Sequence, residues 1–133
     1  GQARVHRPGD DLVVVTWGAM VHTAADAAEE LAKEGTEVEV LDLRTIIPWD
    51  REKVLESVRR CSKVLVLHED TRTGGFGAEI AATIAEEAFE HLDAPVMRVA
   101  APDTPVPFAP PLEKAFIPQV EDVATALREL AAY

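Results

Sequence analysis

Lys63-Val-Leu-Val-Leu67-His-Glu-Asp-Thr-Arg-Thr-Gly-Gly-Phe-Gly77 decides the architecture. Its opening is an apolar run with no alternating polar face. Such a run reads as a central strand buried on both sides. The glycine-rich turn at 73–77 then opens a long helix. Phe76, Ile80, Ile84, Ala88 and Leu92 recur at every fourth residue and mark its inner side. The same strand-then-helix unit repeats in both directions. Upstream, Leu12–Thr16 is followed by Gly18 and a helix whose stripe is Val21, Ala24, Ala25, Ala28, Leu31 and Ala32, with Gly35 as its left-handed terminator. Val38–Asp42 is followed by a helix over Arg51–Arg60, with Asp50 as N-cap. Downstream, Val96–Val99 is the last strand. A final helix from Gln119 to Ala131 turns Val120, Val123, Ala124, Leu127 and Leu130 inward. Gln2–Arg7 reads as a short edge strand set off by the Pro8-Gly9-Asp10 turn. Strands alternating with helices predict a parallel sheet covered on both faces.

Proline changes the character of the chain near its end. Seven of the nine prolines lie at or beyond Pro95, so 101–111 is expected to be an extended surface connection. The 133 residues read as a single domain, 1–133, large enough to bury a core without disulfides or metal. The chain opens on Gly1 rather than Met and reads as a piece of a longer polypeptide. Thirteen basic and 24 acidic residues give a net charge of −11. That balance argues against nucleic acid and against anionic membrane as partners, and it suits a basic protein. No stretch approaches the ~20 apolar residues of a membrane span. The single cysteine, Cys61, fits a reducing compartment.

Few residues are equipped for chemistry. Gly74, Gly75 and Gly77 lie between a strand and a helix, where phosphates often bind. A phosphate loop of the nucleoside-triphosphatase type needs Lys followed by Ser or Thr, and Ala78-Glu79 stand there instead. The third glycine of a dinucleotide fingerprint is replaced by Ile80, and Glu79 would repel an anion. The plainer reading is backbone packing. His68-Glu69-Asp70 is expected at the C-terminal end of a central strand, where open α/β sheets place functional groups. It is a candidate acid–base or inter-domain contact, but no Ser or Cys nucleophile accompanies it. The other histidines, 6, 22 and 91, show no zinc-ligand spacing. Cys61 follows Arg59-Arg60, a pair that would lower its pKa; a structural thiol is the plainer reading. Trp17 and Trp49 are candidates for interface anchors or for packing at the rim of the core.

These residues also carry a resemblance. Val15-Thr-Trp-Gly18-Ala-Met-Val-His22, Glu39-Val-Leu-Asp-Leu-Arg-Thr45-Ile-Ile-Pro48, His68-Glu69, Gly74–Glu79, Ala94-Pro-Val-Met-Arg-Val99, Asp103, Pro105, Pro107, Leu112-Glu113 and Pro118 stand in register along nearly the whole chain. They resemble the transketolase C-terminal domain, in the version found in the β subunit of thiamine-dependent 2-oxo acid dehydrogenases. Trp49 and Asp70 are minor departures. The resemblance implies a three-layer α/β/α fold: a five-stranded, mostly parallel sheet with one antiparallel edge strand, assigned to residues 2–7. It implies α2β2 assemblies that decarboxylate a 2-oxo acid on thiamine diphosphate and pass the acyl group to a lipoyl arm. The cofactor and its Mg2+ would be held by a Gly-Asp-Gly…Asn motif of the α subunit, and the activating glutamate by the β subunit's N-terminal domain. This chain has no Gly-Asp-Gly and no Asn. Its expected role is therefore assembly and docking, without catalytic, cofactor or metal residues of its own and inactive alone. The implied partners are the α subunit, a second β subunit and the basic subunit-binding domain of the acyltransferase core. Glu113, Glu121, Asp122, Glu129 and the terminal carboxylate of Tyr133 are the docking candidates. His68, Glu69, Gly74, Gly75 and Gly77 form a candidate inter-domain or ligand site. The alternative is a regulatory anion- or nucleotide-binding domain of another thiamine enzyme, such as transketolase or deoxyxylulose-phosphate synthase. The expected location is the cytoplasm, or the mitochondrial matrix in a eukaryote.

Overall fold

The most apolar runs occupy the middle of the sheet. In the computed structural model, which describes residues 1–103 and 116–133, the strand order is β1-β3-β2-β4-β5. Here β1 is Arg4–Arg7, β2 Leu12–Thr16, β3 Val38–Asp42, β4 Val64–Thr71 and β5 Met97–Ala101. β2 pairs in parallel with β3, from Leu12 opposite Val38 to Thr16 opposite Asp42. It pairs in parallel with β4 on its other side, Val13 opposite Val64, and β4 pairs in parallel with β5. β1 runs antiparallel along β3, with a register shift between Val5 and Arg7. The mixed sheet with one antiparallel edge is as expected.

Helices α1 (Met20–Lys33) and α4 (Val120–Ala131) cover one face; α2 (Arg51–Cys61) and α3 (Phe76–Glu87) cover the other. The strands divide between two cores by their two-residue period. Leu12, Val14, Leu65 and Leu67 pack with Leu31, Leu127 and Leu130. Val13, Val15, Val64 and Val66 pack with Leu55, Val58, Ile80 and Ile84. Since both faces are buried, every residue of β2 is buried, Thr16 included.

Local signals set the helix ends. The Asp50 carboxylate accepts from the Lys53 amide at 3.2 Å, which caps α2, and its other oxygen accepts from the Ala3 amide at 2.8 Å. One side chain thus ties the start of α2 to the chain entering β1. Gly35 takes φ +87°, and the Gly35 and Thr36 amides donate back to Ala32 and Leu31, closing α1 as a left-handed terminator does.

Three expectations about boundaries need correction. β4 does not stop at Leu67 but runs eight residues to Thr71, so His68, Glu69 and Asp70 lie inside the strand. The helix from Phe76 does not reach Leu92. α3 ends at Glu87, and Phe89–His91 forms a single 3-10 turn before Leu92, which still packs against the second core. The last strand begins at Met97, after Pro95, which lacks the amide a strand needs. Residues 104–111 of the expected connection, like Glu113, lie outside the described residues; Ala101 itself closes β5.

Candidate functional site

The strand ends that open α/β sheets use for ligands are closed here by an aromatic cluster. Trp17 follows directly on the end of β2, and its ring stacks on the His68 imidazole from β4, with centroids 5.4 Å apart and planes 14° from parallel. Phe76, the first residue of α3, meets Trp17 edge-on at 6.3 Å, and Trp49, from the loop entering α2, meets Phe76 edge-on at 6.2 Å. Four separate segments are joined in this way. Trp17 and Trp49 are half-buried and pack against the second core.

The glycines are explained by the imidazole. A Cβ added at Gly77 would lie 2.2 Å from His68 Nε2, and one at Gly75 would lie 2.1 Å from the Thr71 carbonyl oxygen and 3.0 Å from His68 Cε1. Only glycine lets the first turn of α3 approach β4 so closely. Gly74 contributes differently: it bends the chain at φ +74° with open space around it.

His68 is completely buried, 0% exposed, whereas Glu69 and Asp70 face solvent. The triplet that looked like one acid–base group is therefore divided between interior and surface. Neither ring nitrogen of His68 makes a hydrogen bond of ordinary geometry among the described residues. Burial holds its pKa below the usual histidine value; Asp70, through its charge and main chain, opposes this, and Arg98 adds to the lowering. Burial and the lowered pKa both favour the neutral form of this imidazole.

Around the cluster the strand ends are tied together. Arg72 donates to the Arg98 carbonyl oxygen at 3.0 Å, and Arg98 donates to the Arg72 carbonyl oxygen at 2.9 Å. Asp103 accepts from the Thr73 amide at 2.8 Å and from the Thr73 hydroxyl, which holds its carboxyl below the ordinary range. The sequence reading missed this clasp, because its members are 26 to 30 residues apart.

Cys61 follows the plainer of its two readings. Burial pushes its thiol up to about 11 despite the charge of Arg60, which acts in the opposite direction. The Arg60 guanidinium is already engaged by Asp10, Glu39 and the Gly9 carbonyl oxygen. The thiol is a buried structural group rather than an activated one.

The docking candidates on α4 are exposed but unequal. Asp122 accepts from the Gln119 amide at 2.8 Å in a capping box, so it shapes the helix start. The Tyr133 main-chain oxygen accepts from Lys63 at 2.8 Å. Glu121 and Glu129 enter no ion pair among the described residues. Glu121 borders a hollow of about 610 Å3 between α1 and α4, where Arg128 forks onto the Glu34 carboxylate at 2.9 and 3.0 Å. Glu113 lies outside the described residues. No helix among them is long and apolar enough to cross a membrane.

A mostly parallel five-stranded sheet with one antiparallel edge strand and helices on both faces defines the class of three-layer α/β/α domains. The chain belongs to the family described as the transketolase C-terminal domain, which matches residues 1–123. It is 46% identical over 134 residues to the 2-oxoisovalerate dehydrogenase subunit beta of Bacillus subtilis (strain 168), covering 100% of this chain and 41% of that protein. It is 44% identical over 126 residues to the mitochondrial pyruvate dehydrogenase E1 component subunit beta-1 of Arabidopsis thaliana, covering 95% of this chain and 35% of that one. The solved split-gene transketolase, an inactive beta4 tetramer, superposes with a TM-score of 0.84 at 29% identity, covering 98% of this chain and 41% of that one. The chain spans less than half the length of each of these relatives.

The residues at the strand ends do not fit thiamine diphosphate with its Mg2+. The space above Gly75 and Gly77 is filled by Thr71 and His68, and Glu79 sits in the first turn of α3, where it would oppose a phosphate. Among the described residues no three His, Cys, Asp or Glu side chains converge on a metal position.

Proposed function

We propose that residues 1–133 are one domain of a longer β subunit, the C-terminal assembly and partner-docking domain of a 2-oxo acid dehydrogenase decarboxylase component. The observation that carries this reading is whole-chain similarity, at more than 40% identity, to β subunits of such enzymes. In this reading thiamine diphosphate and Mg2+ are held by other parts of the enzyme, and the domain contributes shape and charge. The α subunit, a second β subunit and the basic subunit-binding domain of the acyltransferase are its partners. Its place of work is the cytoplasm or, in a eukaryote, the mitochondrial matrix. The net charge of −11 and the unpaired Glu121 and Glu129 on α4 support docking of a basic surface. A regulatory anion site at 74–77 is disfavoured by the filled space above the glycines.

The test is a titration of the chain with the purified subunit-binding domain at low and high salt. Saturable binding that weakens as salt rises is expected. Absence of binding, or indifference to salt, counts against the docking role. Decarboxylation of a 2-oxo acid by the chain with no companion subunit would overturn the assignment of a non-catalytic role.

A further inference from the structure

A second surface, on the opposite face of the sheet from α4, has the chemistry of a docking groove. It is a hollow of about 820 Å3 between α3, the 3-10 turn and the segment 92–96 that leads into β5. It is lined by Ala81, Ala82 and Ala85 of α3 together with Leu92 and Val96. Phe89 stands on its rim with 74% of its surface exposed, although a phenyl ring gains by leaving water. The outer faces of α1 and α2 show the usual pattern by contrast: Glu29, Glu30 and Lys33 on one, Arg51, Glu52 and Glu56 on the other, all exposed. α3 exposes Glu79, Glu86 and Glu87 too, but on the side toward the hollow it presents Ala82 and Ala85, with short side chains that permit a helix axis to approach closely.

The rim gives the sign of the partner. Glu90 borders the hollow, Glu86 follows Ala85, and Asp93 follows Leu92; all three are exposed. None is in an ion pair among the described residues, whereas neighbouring Glu87 is held by Arg51. Among the described residues no Lys or Arg lines the hollow. A second copy docked by two-fold symmetry on this same surface would bring these carboxylates against the same carboxylates, which opposes that mode of self-association. We propose that this groove docks an amphipathic helix of a partner protein, its apolar side on Phe89 and the alanines and its lysines or arginines against Glu86, Glu90 and Asp93. The surface shares no residue with the α4 docking candidates, so the two readings fail separately.

The test titrates the chain with a fluorescent synthetic helix bearing leucines at i, i+3, i+4 and i+7 flanked by lysines, and with its lysine-to-glutamate counterpart. Saturable binding of the lysine helix alone is expected. Phe89→Ala is expected to weaken it about thirty-fold, the scale of an interface hot spot. Because Phe89 is exposed, that variant keeps the fold. Glu86→Lys and Glu90→Lys are expected to weaken binding and flatten its salt dependence, while Asp26→Lys on α1, the same change of charge elsewhere, leaves it unaltered. The proposal is overturned by lack of saturation, by Asp26→Lys acting as strongly as Glu86→Lys, or by sedimentation showing a dimer of the chain that Phe89→Ala dissolves.

Discussion

His68 and Gly77 form one packing unit, although nine residues separate them. Gly77→Ala forces a methyl against a ring that is sealed on every side, so it is expected to cost about 1–3 kcal/mol, the range for overpacking a filled core. Urea denaturation measures this, and a double-mutant cycle assigns it: in a His68→Ala background the same substitution is expected to cost less. The imidazole also sets a pH dependence. Its folded pKa is lowered, so below the ordinary value of about 6.5 the unfolded chain takes up the proton first. The stability tied to the neutral ring is present above that value and is lost as pH falls below it toward the lowered folded pKa. Between about pH 7 and 5 the free energy of unfolding is expected to fall more steeply for the natural chain than for His68→Gln, as urea midpoints at each pH will read. A similar slope for both would place the acid sensitivity on carboxylates instead.

At the scale of elements, the apolar runs and the helical stripes were legible because burial on both faces demands unbroken hydrophobic strands. The ends were not all legible. β4 continues past Leu67 through His68-Glu69-Asp70 to Thr71, which pairs opposite Ala101 after a register shift, whereas the apolar run that marks the strand in the sequence stops at Leu67. The spacing of four runs on through Ala88 to Leu92 although the helix stops at Glu87, because the 3-10 turn keeps the chain heading toward the same core. Asp50 shows local and long-range demands meeting in one residue. As an N-cap it was readable; its bond to the Ala3 amide, 47 residues away, was not. Asp50→Ala is therefore expected to cost about 1–2 kcal/mol, at the upper end for a cap, with Asp50→Asn milder because its amide oxygen still accepts. Chemical denaturation compares the two, and amide exchange at Ala3 reports whether the entry to β1 loosens with the cap.

For the molecule as a whole, charge and packing act on different processes. The carboxylates of Glu121 and Glu129 are exposed and enter no ion pair among the described residues, so what they add to folding is small, for Glu121 its place in the first turn of α4, and they are available to a basic partner under the proposed docking role. Glu121→Lys and Glu129→Lys are expected to slow association with the subunit-binding domain and to reduce its dependence on salt; Glu129→Lys leaves thermal stability nearly unchanged, whereas Glu121→Lys, in the first turn of α4, lowers it by about 1 kcal/mol, and stopped-flow mixing and a thermal melt read the two effects. Asp122 differs, since it also caps α4. Asp122→Ala is expected to lower stability as well as association.

Hydrophobic periodicity, turn glycines and capping residues sufficed to specify the α/β layers, the order of elements and the acidic surface, because each acts within a few residues along the chain. Whether His68 faced a substrate or the first turn of α3, whether Arg59-Arg60 activated Cys61, and whether α3 exposed a groove depended on which segments meet. Burial and the approach of atoms distant in sequence decide such matters, and those exist only once the sheet has assembled and its helices have closed over both faces.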